Sequence, residues 1–261
     1  MKLLHSTILG ETGPDLLILH GFLGMSDNWK THAKNWVASG FRVHLIDQRN
    51  HGRSFWSADF SYEVMAADLA YYCEAKKLEK VLLLGHSMGG KTVMFFATHY
   101  PEFVSAFIVA DIAPKSYPPH HQKILEGLSR LDFNTIQSRG AADTFLAQFV
   151  KEPGVRLFLL KNLFWKNKET LGLRLNIAIL KNASEAIGAN LAATALSTQS
   201  CLFVKGELSD YIGAADLPLI QHYFPKATLI TIPKAGHWLH AEQPVLFFEQ
   251  VTQWLLKQIY F

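Results

Sequence analysis

Cysteine is scarce in this chain, with Cys73 and Cys201 the only two among 261 residues, far apart and in apolar surroundings (AYYCEA and SCLFVK). A disulfide framework of the kind that staples small secreted domains is therefore excluded. A single bridge between the two remains open, but free thiols in a reducing compartment fit better. Long apolar runs are lacking as well: no stretch reaches the roughly 18 residues that a membrane-spanning helix needs. The first ten residues carry one Lys and an apolar run broken by His5, Ser6 and Thr7. That is not a secretory signal, so the expected location is the cytoplasm, without integral membrane association. Charge of one sign is also in short supply. The 25 Lys and Arg against 22 Asp and Glu leave a net +3, too little and too scattered for a nucleic-acid stripe, and no nucleic-acid partner is expected. Internal repeats, low-complexity tracts and terminal linkers are absent too.

What the chain does have is 49% hydrophobic residues with 18% charged, enough for a chain of this length to bury about three quarters of its unfolded surface. Short apolar runs recur at residues 16–20 (LLILH), 42–47 (RVHLID), 80–85 (KVLLLG), 106–111 (AFIVAD), 201–206 (CLFVKG) and 227–232 (ATLITI). Nearly all are apolar throughout, which is the pattern of strands buried on both faces of a parallel sheet, with helical crossovers between them. Helices are predicted at 61–77 behind a Ser61 cap, at 92–100 before Pro101, and at 243–258. Between Asp111 and Cys201 the rhythm breaks. That stretch has no clear buried strand but helical patterns at 124–131, 135–150, 155–162 and 171–179, separated by Pro118–Pro119, Gly140 and Pro153–Gly154. The expectation is an α/β fold with a mostly parallel central sheet and helices on both faces. Residues 1–114 and 198–261 would form the core and residues 115–197 an inserted helical cap.

After the run ending at Gly85 comes Gly85-His86-Ser87-Met88-Gly89-Gly90-Lys91-Thr92, which fits two patterns. As G-x-S-x-G it is a nucleophile elbow, with Ser87 on a sharp strand-to-helix turn between small residues. As G-x-x-x-x-G-K-[ST] it is a phosphate-binding loop, with Lys91 on phosphate oxygens, Thr92 on magnesium and Asp111 on a second strand. The context favours the elbow. A late His237 follows the last strand within Gly236-His237-Trp238, and His20-Gly21-Phe22-Leu23-Gly24 follows an early one, where backbone amides could receive an oxyanion. Under this reading Lys91 is a helix residue reaching for solvent. Of the twelve histidines, His237 is the candidate base, with His240 second. No metal-ligand set is discernible and no cofactor is implied.

The segments HGFLG, DNW (Asp27–Trp29), DQRNHGRS (Asp47–Ser54), GHSMGGK, DIAP (Asp111–Pro114) and GHWLHAEQP (Gly236–Pro244) together resemble the α/β-hydrolase superfamily over the whole chain. The likeness is strongest to the bacterial YbfF-type esterases. The resemblance implies hydrolysis of short-to-medium acyl esters or thioesters through an acyl-enzyme on Ser87, with His237 as base. It also implies an acid at the end of one strand. In the YbfF-type branch the acid follows the strand after the elbow, where Asp111 stands. The commoner superfamily location gives Gly206-Glu207-Leu208-Ser209-Asp210, with Ser209 in the acid's place and Asp210 one residue late, so Asp210 is the alternative. Oxyanion donors are expected from the amides of Phe22 and Met88, with Leu23 as alternative to Phe22. The DQRNHGRS segment is read as a loop brace, with anion binding by Arg49 or Arg53 as the other reading. The insertion, with Phe133, Phe145, Phe149, Phe158, Phe164 and Trp165, would lie over the strand ends and supply the acyl pocket, with most of these aromatics in the cap's own core and a few lining the pocket. Alternatives are C–C bond hydrolysis, a lyase step, a ligand receptor with slow hydrolysis, and most remotely the nucleotide binder.

Overall fold

The computed structural model describes residues 2–260. Along the chain run β1 (Ser6–Leu9), β2 (Asp15–Leu19), α1 (Lys30–Ala38), β3 (Arg42–Ile46), α2 (Tyr62–Lys76), β4 (Val81–His86), α3 (Met88–His99) and β5 (Val104–Ala110). An insertion follows, with α4 (Gln122–Ser129), α5 (Arg139–Leu146), α6 (Pro153–Leu160), the hairpin β6 (Leu163–Trp165) and β7 (Leu171–Leu173), α7 (Ile177–Leu180) and α8 (Ser184–Gly188). The chain then returns through β8 (Ser200–Gly206), α9 (Leu217–Tyr223), β9 (Ala227–Ile232), α10 (Leu239–Glu242) and α11 (Pro244–Tyr260). No helix among the described residues is long and apolar enough to cross a membrane.

The central sheet has seven strands in the order β1-β3-β2-β4-β5-β8-β9. Only the β1–β3 pair is antiparallel; the other pairs are parallel, in line with the sequence expectation. The continuous apolar runs are explained by burial on both faces. Leu17, Leu19, Leu83, Phe107 and Phe203 join the cluster under α2, α3 and the insertion. Their alternating neighbours Leu16, Ile18, Leu82, Ile108 and Leu202 join the cluster under α1 and α11. Because β2 is flanked by β3 on one side and β4 on the other, the direction of winding changes there. The loops leaving the C-terminal ends of β2, β4, β5, β8 and β9 therefore open into one crevice.

Several elements depart from the sequence expectation. β1 is a short, half-exposed edge strand too weakly apolar to register as one. α1 and α9 were not anticipated, since each buries only three and two residues respectively. The helix predicted over 171–179 is instead β7 followed by an isolated bridge from Leu175 to His51 and the single turn of α7. Gly172 weakens any helix there, and pairing of Leu163 with Leu173 and Phe164 with Gly172 takes over. The 135–150 helix shrinks to α5, which Ser138 caps by accepting from the Ala141 amide at 3.1 Å. The Ser61 cap on α2 is present as predicted, accepting from Val64 N.

Candidate active site

Ser87 stands between the last residue of β4 and the first of α3, with φ 53° and ψ −117°. An L-residue adopts this region only under constraint. Here the Ser87 amide donates to Ala110 O at 3.0 Å, while Ser87 O receives the Lys91 amide at 3.0 Å as α3 begins. The flanking glycines are obligatory. A Cβ on Gly85 would lie 2.2 Å from Gly89 O, and one on Gly89 would lie 2.3 Å from Leu19 O. The turn therefore packs directly on the neighbouring backbone and leaves the serine side chain, half-buried, facing a cavity.

Asp111, fully buried at the end of β5, also has positive φ, at 54°. Its Oδ1 accepts from Gly206 N at 3.0 Å, and its Oδ2 lies 2.8 Å from His237 Nδ1. The Ser209 hydroxyl donates to the same Oδ2. With Nδ1 donating to the carboxylate, His237 keeps Nε2 available in the cavity that Ser87 also lines. The structure thus brings Asp111 to His237, while Asp210 is exposed with no side-chain partner among the described residues. Ser209, the residue standing where an acid is commonest, serves the carboxylate that comes from the neighbouring strand. His240, the second histidine candidate, is buried and stacked on Trp29 at 4.3 Å between ring centres, and its ring pairs with no carboxylate among the described residues.

The loop after β2 distinguishes the two amides that could serve beside Met88. Leu23, at φ 60°, donates its N–H to His51 Nε2 at 3.2 Å. His51 Nδ1 in turn donates to Arg49 O at 2.9 Å, which fixes the tautomer. Burial holds His51 neutral, with its pKa lowered to about 3. The Leu23 amide is therefore occupied, whereas the amides of Phe22 and Met88 have no acceptor among the described residues. The role of His51 was not apparent in the sequence, where it was only one residue of a loop signature. His86, beside Ser87, is not singled out by the sequence either. It donates from Nε2 to His237 O at 2.8 Å, and burial lowers its pKa to about 3.

Lys91 is a correction. It was read as reaching solvent, yet it is fully buried. Its Nζ donates to Lys115 O at 2.6 Å and to Ala189 O, joining the chain where it enters the insertion and where it leaves. The ammonium also lies 5.2 Å from the centre of the Tyr117 ring, and burial lowers its pKa to about 7. Thr92 donates to Gln48 Oε1 at 2.7 Å. Both side chains that a phosphate loop would turn outward are thus committed inside. Arg49 makes two bonds to Asp68, at 2.6 and 2.8 Å, and Arg53 pairs with Asp27, so the loop brace reading describes both.

Two chambers meet at Ser87. The larger, about 350 Å³, is lined by His237 and Trp238 and by insertion residues including Ile124, Phe149, Val155 and Phe158. The smaller, about 20 Å³, is lined by Met88, Ile112 and Tyr62 and by insertion residues including Tyr117 and Ile187. Phe22, Ser87, His120, His121 and Tyr211 border both. Tyr211 stacks on the His237 ring at 3.8 Å and 15°, and its hydroxyl is hydrogen-bonded to His120 of the insertion. Of the insertion aromatics singled out in the sequence, Phe149 and Phe158 face the larger chamber, while Trp165 is half exposed.

A family model described as the alpha/beta hydrolase fold matches residues 14–244. The solved structure of a marine microorganism esterase superposes with a TM-score of 0.93 at 41% identity, covering 97% of this chain and 99% of that one. A zebrafish (Danio rerio) protein named sn-1-specific diacylglycerol lipase ABHD11 is 35% identical, covering 94% of this chain and 79% of its own length. Esterase YbfF of Escherichia coli is 29% identical, covering 92% of each. A sheet of this order, an elbow at the end of its central strand and a model match over most of the length agree: the chain belongs to the α/β-hydrolase fold family and resembles YbfF within it.

Proposed function

We propose that this protein is a serine hydrolase of acyl esters or thioesters, working through an acyl-enzyme on Ser87. The observation that carries the reading is the Asp111–His237 pair at 2.8 Å, beside a strained serine that shares its cavity. His237 Nε2 takes the Ser87 proton as Oγ bonds to the acyl carbon, and gives it to the leaving alkoxide or thiolate as that bond breaks. Water then attacks the acyl-enzyme by the same route, releasing the acid and restoring the serine. Asp111 holds the imidazole tautomer and stabilises the imidazolium, with the Ser209 hydroxyl and Gly206 N keeping the carboxylate oriented. The free amides of Phe22 and Met88 receive the oxyanion; loss of one such donor costs about 3 kcal/mol in comparable sites. Residues 115–197 act as a cap over a core of residues 1–114 and 198–261, and supply most of the pocket wall. The esterase and lipase names of the relatives agree with this chemistry.

The test is release of p-nitrophenol from p-nitrophenyl acetate and butyrate by the wild type and by Ser87→Ala, with EDTA present. Turnover that ignores the chelator and vanishes in the variant is the expected result. Equal turnover by both proteins overturns the assignment of Ser87, and none by either overturns ester hydrolysis.

A further inference from the structure

The two chambers at Ser87 are not equivalent with respect to the proton that ends each acylation, and this difference orients the substrate. Four groups surround the tetrahedral carbon: Ser87 Oγ, the oxyanion, the acyl substituent and the leaving oxygen or sulfur. The oxyanion is directed to the Phe22 and Met88 amides. The leaving atom must lie within hydrogen-bond reach of His237, because that ring returns the proton to it. His237 lines the larger chamber and not the smaller. Met88, which carries an oxyanion amide, lines the smaller and not the larger. With Oγ below and the oxyanion fixed, the substituent left over is the acyl chain, and the space left over is the small chamber.

We infer that the alcohol or thiol portion of the substrate occupies the large chamber and the acyl chain the small one, so that the site selects short acyl groups carried on bulky apolar leaving groups. This rests on the esterase reading above and narrows its substrate class. The small chamber, about 20 Å³, is far smaller than the large one. A short acyl chain is expected there, with Ile112 and Ile187 among the residues that line it. The chamber offers no free charge to a second carboxylate on the acyl part. The Tyr62 hydroxyl donates to Ile187 O at 2.8 Å and the Tyr117 hydroxyl to Tyr211 O at 2.6 Å. The large chamber has about 350 Å³, within the usual range for small-molecule sites. Its walls are mostly apolar, with Lys123 and Glu152 at the exposed rim. An alkyl or aryl alcohol fits there, with any polar end toward solvent.

Hexyl acetate and ethyl hexanoate are constitutional isomers that exchange the two chain lengths across the same ester group, and they separate the orientations directly. The wild type is expected to hydrolyse hexyl acetate with kcat/KM about tenfold or more above ethyl hexanoate. Equal values or the reverse order overturn the orientation while leaving the hydrolase reading intact. So does failure on both isomers by protein that cleaves p-nitrophenyl acetate. Failure on all three esters is instead a failure of the hydrolase reading itself. Two variants give an independent check. Ile187→Ala should raise kcat/KM for ethyl hexanoate several-fold relative to hexyl acetate. Ile124→Trp should depress hexyl acetate while sparing ethyl acetate. The opposite assignment of effects overturns the inference.

Discussion

The loops that leave the sheet and the insertion that covers them are held by different forces. Leu23, Ser87 and Asp111 all carry positive φ, and their amides are held by hydrogen bonds, those of Ser87 and Asp111 to neighbouring strands and that of Leu23 to the His51 ring. Such strain persists only where the surroundings over-determine it. The insertion is built from helices of eight residues or fewer and a hairpin of two three-residue strands, packed mainly through leucine and phenylalanine side chains. Apolar packing of that kind is tolerant of volume-conserving exchange. Under the proposed mechanism the contrast separates two tasks: the sheet loops fix where bonds are made, and the insertion fixes what fits around them.

Substitutions on the two sides should therefore fail in different ways. On the sheet side the largest effect is expected from Ser87→Ala, a fall in kcat of about 10^5-fold or more with an unchanged melting temperature. Next, Asp111→Asn should lower kcat by about 10^4-fold, because the imidazole loses its tautomer. Asp210→Asn should stay within about twofold of wild type, as exposed residues generally do; comparable losses from both would place the acid elsewhere. Ser209→Ala removes one bond to a buried carboxylate, worth about 1.5–3 kcal/mol, so kcat should fall about tenfold with the preference between isomeric esters unchanged. A change in that preference would blur the division between the two regions.

A further effect, read in stability and not in turnover, belongs to the contact between them. The pKa of Lys91 is lowered from 10.5 to about 7, so between those values the unfolded chain binds more protons than the folded one. Its contribution to stability therefore rises with pH across that window and is flat below it. Lys91→Met removes this dependence. The difference in urea unfolding free energy between wild type and variant should grow from pH 7 to pH 9, by up to about 1 kcal/mol per pH unit. A difference independent of pH would mean that Lys91 is hydrated in the folded protein.

Much of this was legible before the coordinates. Strands buried on two faces betray themselves as unbroken apolar runs, and an elbow needs glycines at fixed offsets from its serine, so β2 to β5, β8, β9 and Ser87 could be located from local pattern. Asp111 was readable only through resemblance, since nothing local distinguishes an aspartate that holds a histidine from one that ends a strand. Features that depend on distant partners were not readable. The β6–β7 hairpin arises from pairing across a turn, and His51 finds Leu23 through the fold. The sequence places Lys91 on a helix reaching for solvent, but α3 has almost no exposed face: ten of its twelve residues are buried.

One lysine nitrogen ties the first residue of the insertion to the residue that follows α8. The carbonyls of Lys115 and Ala189 converge on a point one helical turn from Ser87. Loop closure is thus settled at the neck, and the entropy of closing a longer or shorter loop above it changes only slowly with length. Exchange of the insertion's interior with both carbonyls kept on that nitrogen is expected to leave β5 and β8 in register, and loss of the fold in such an exchange would show that this neck alone does not hold it.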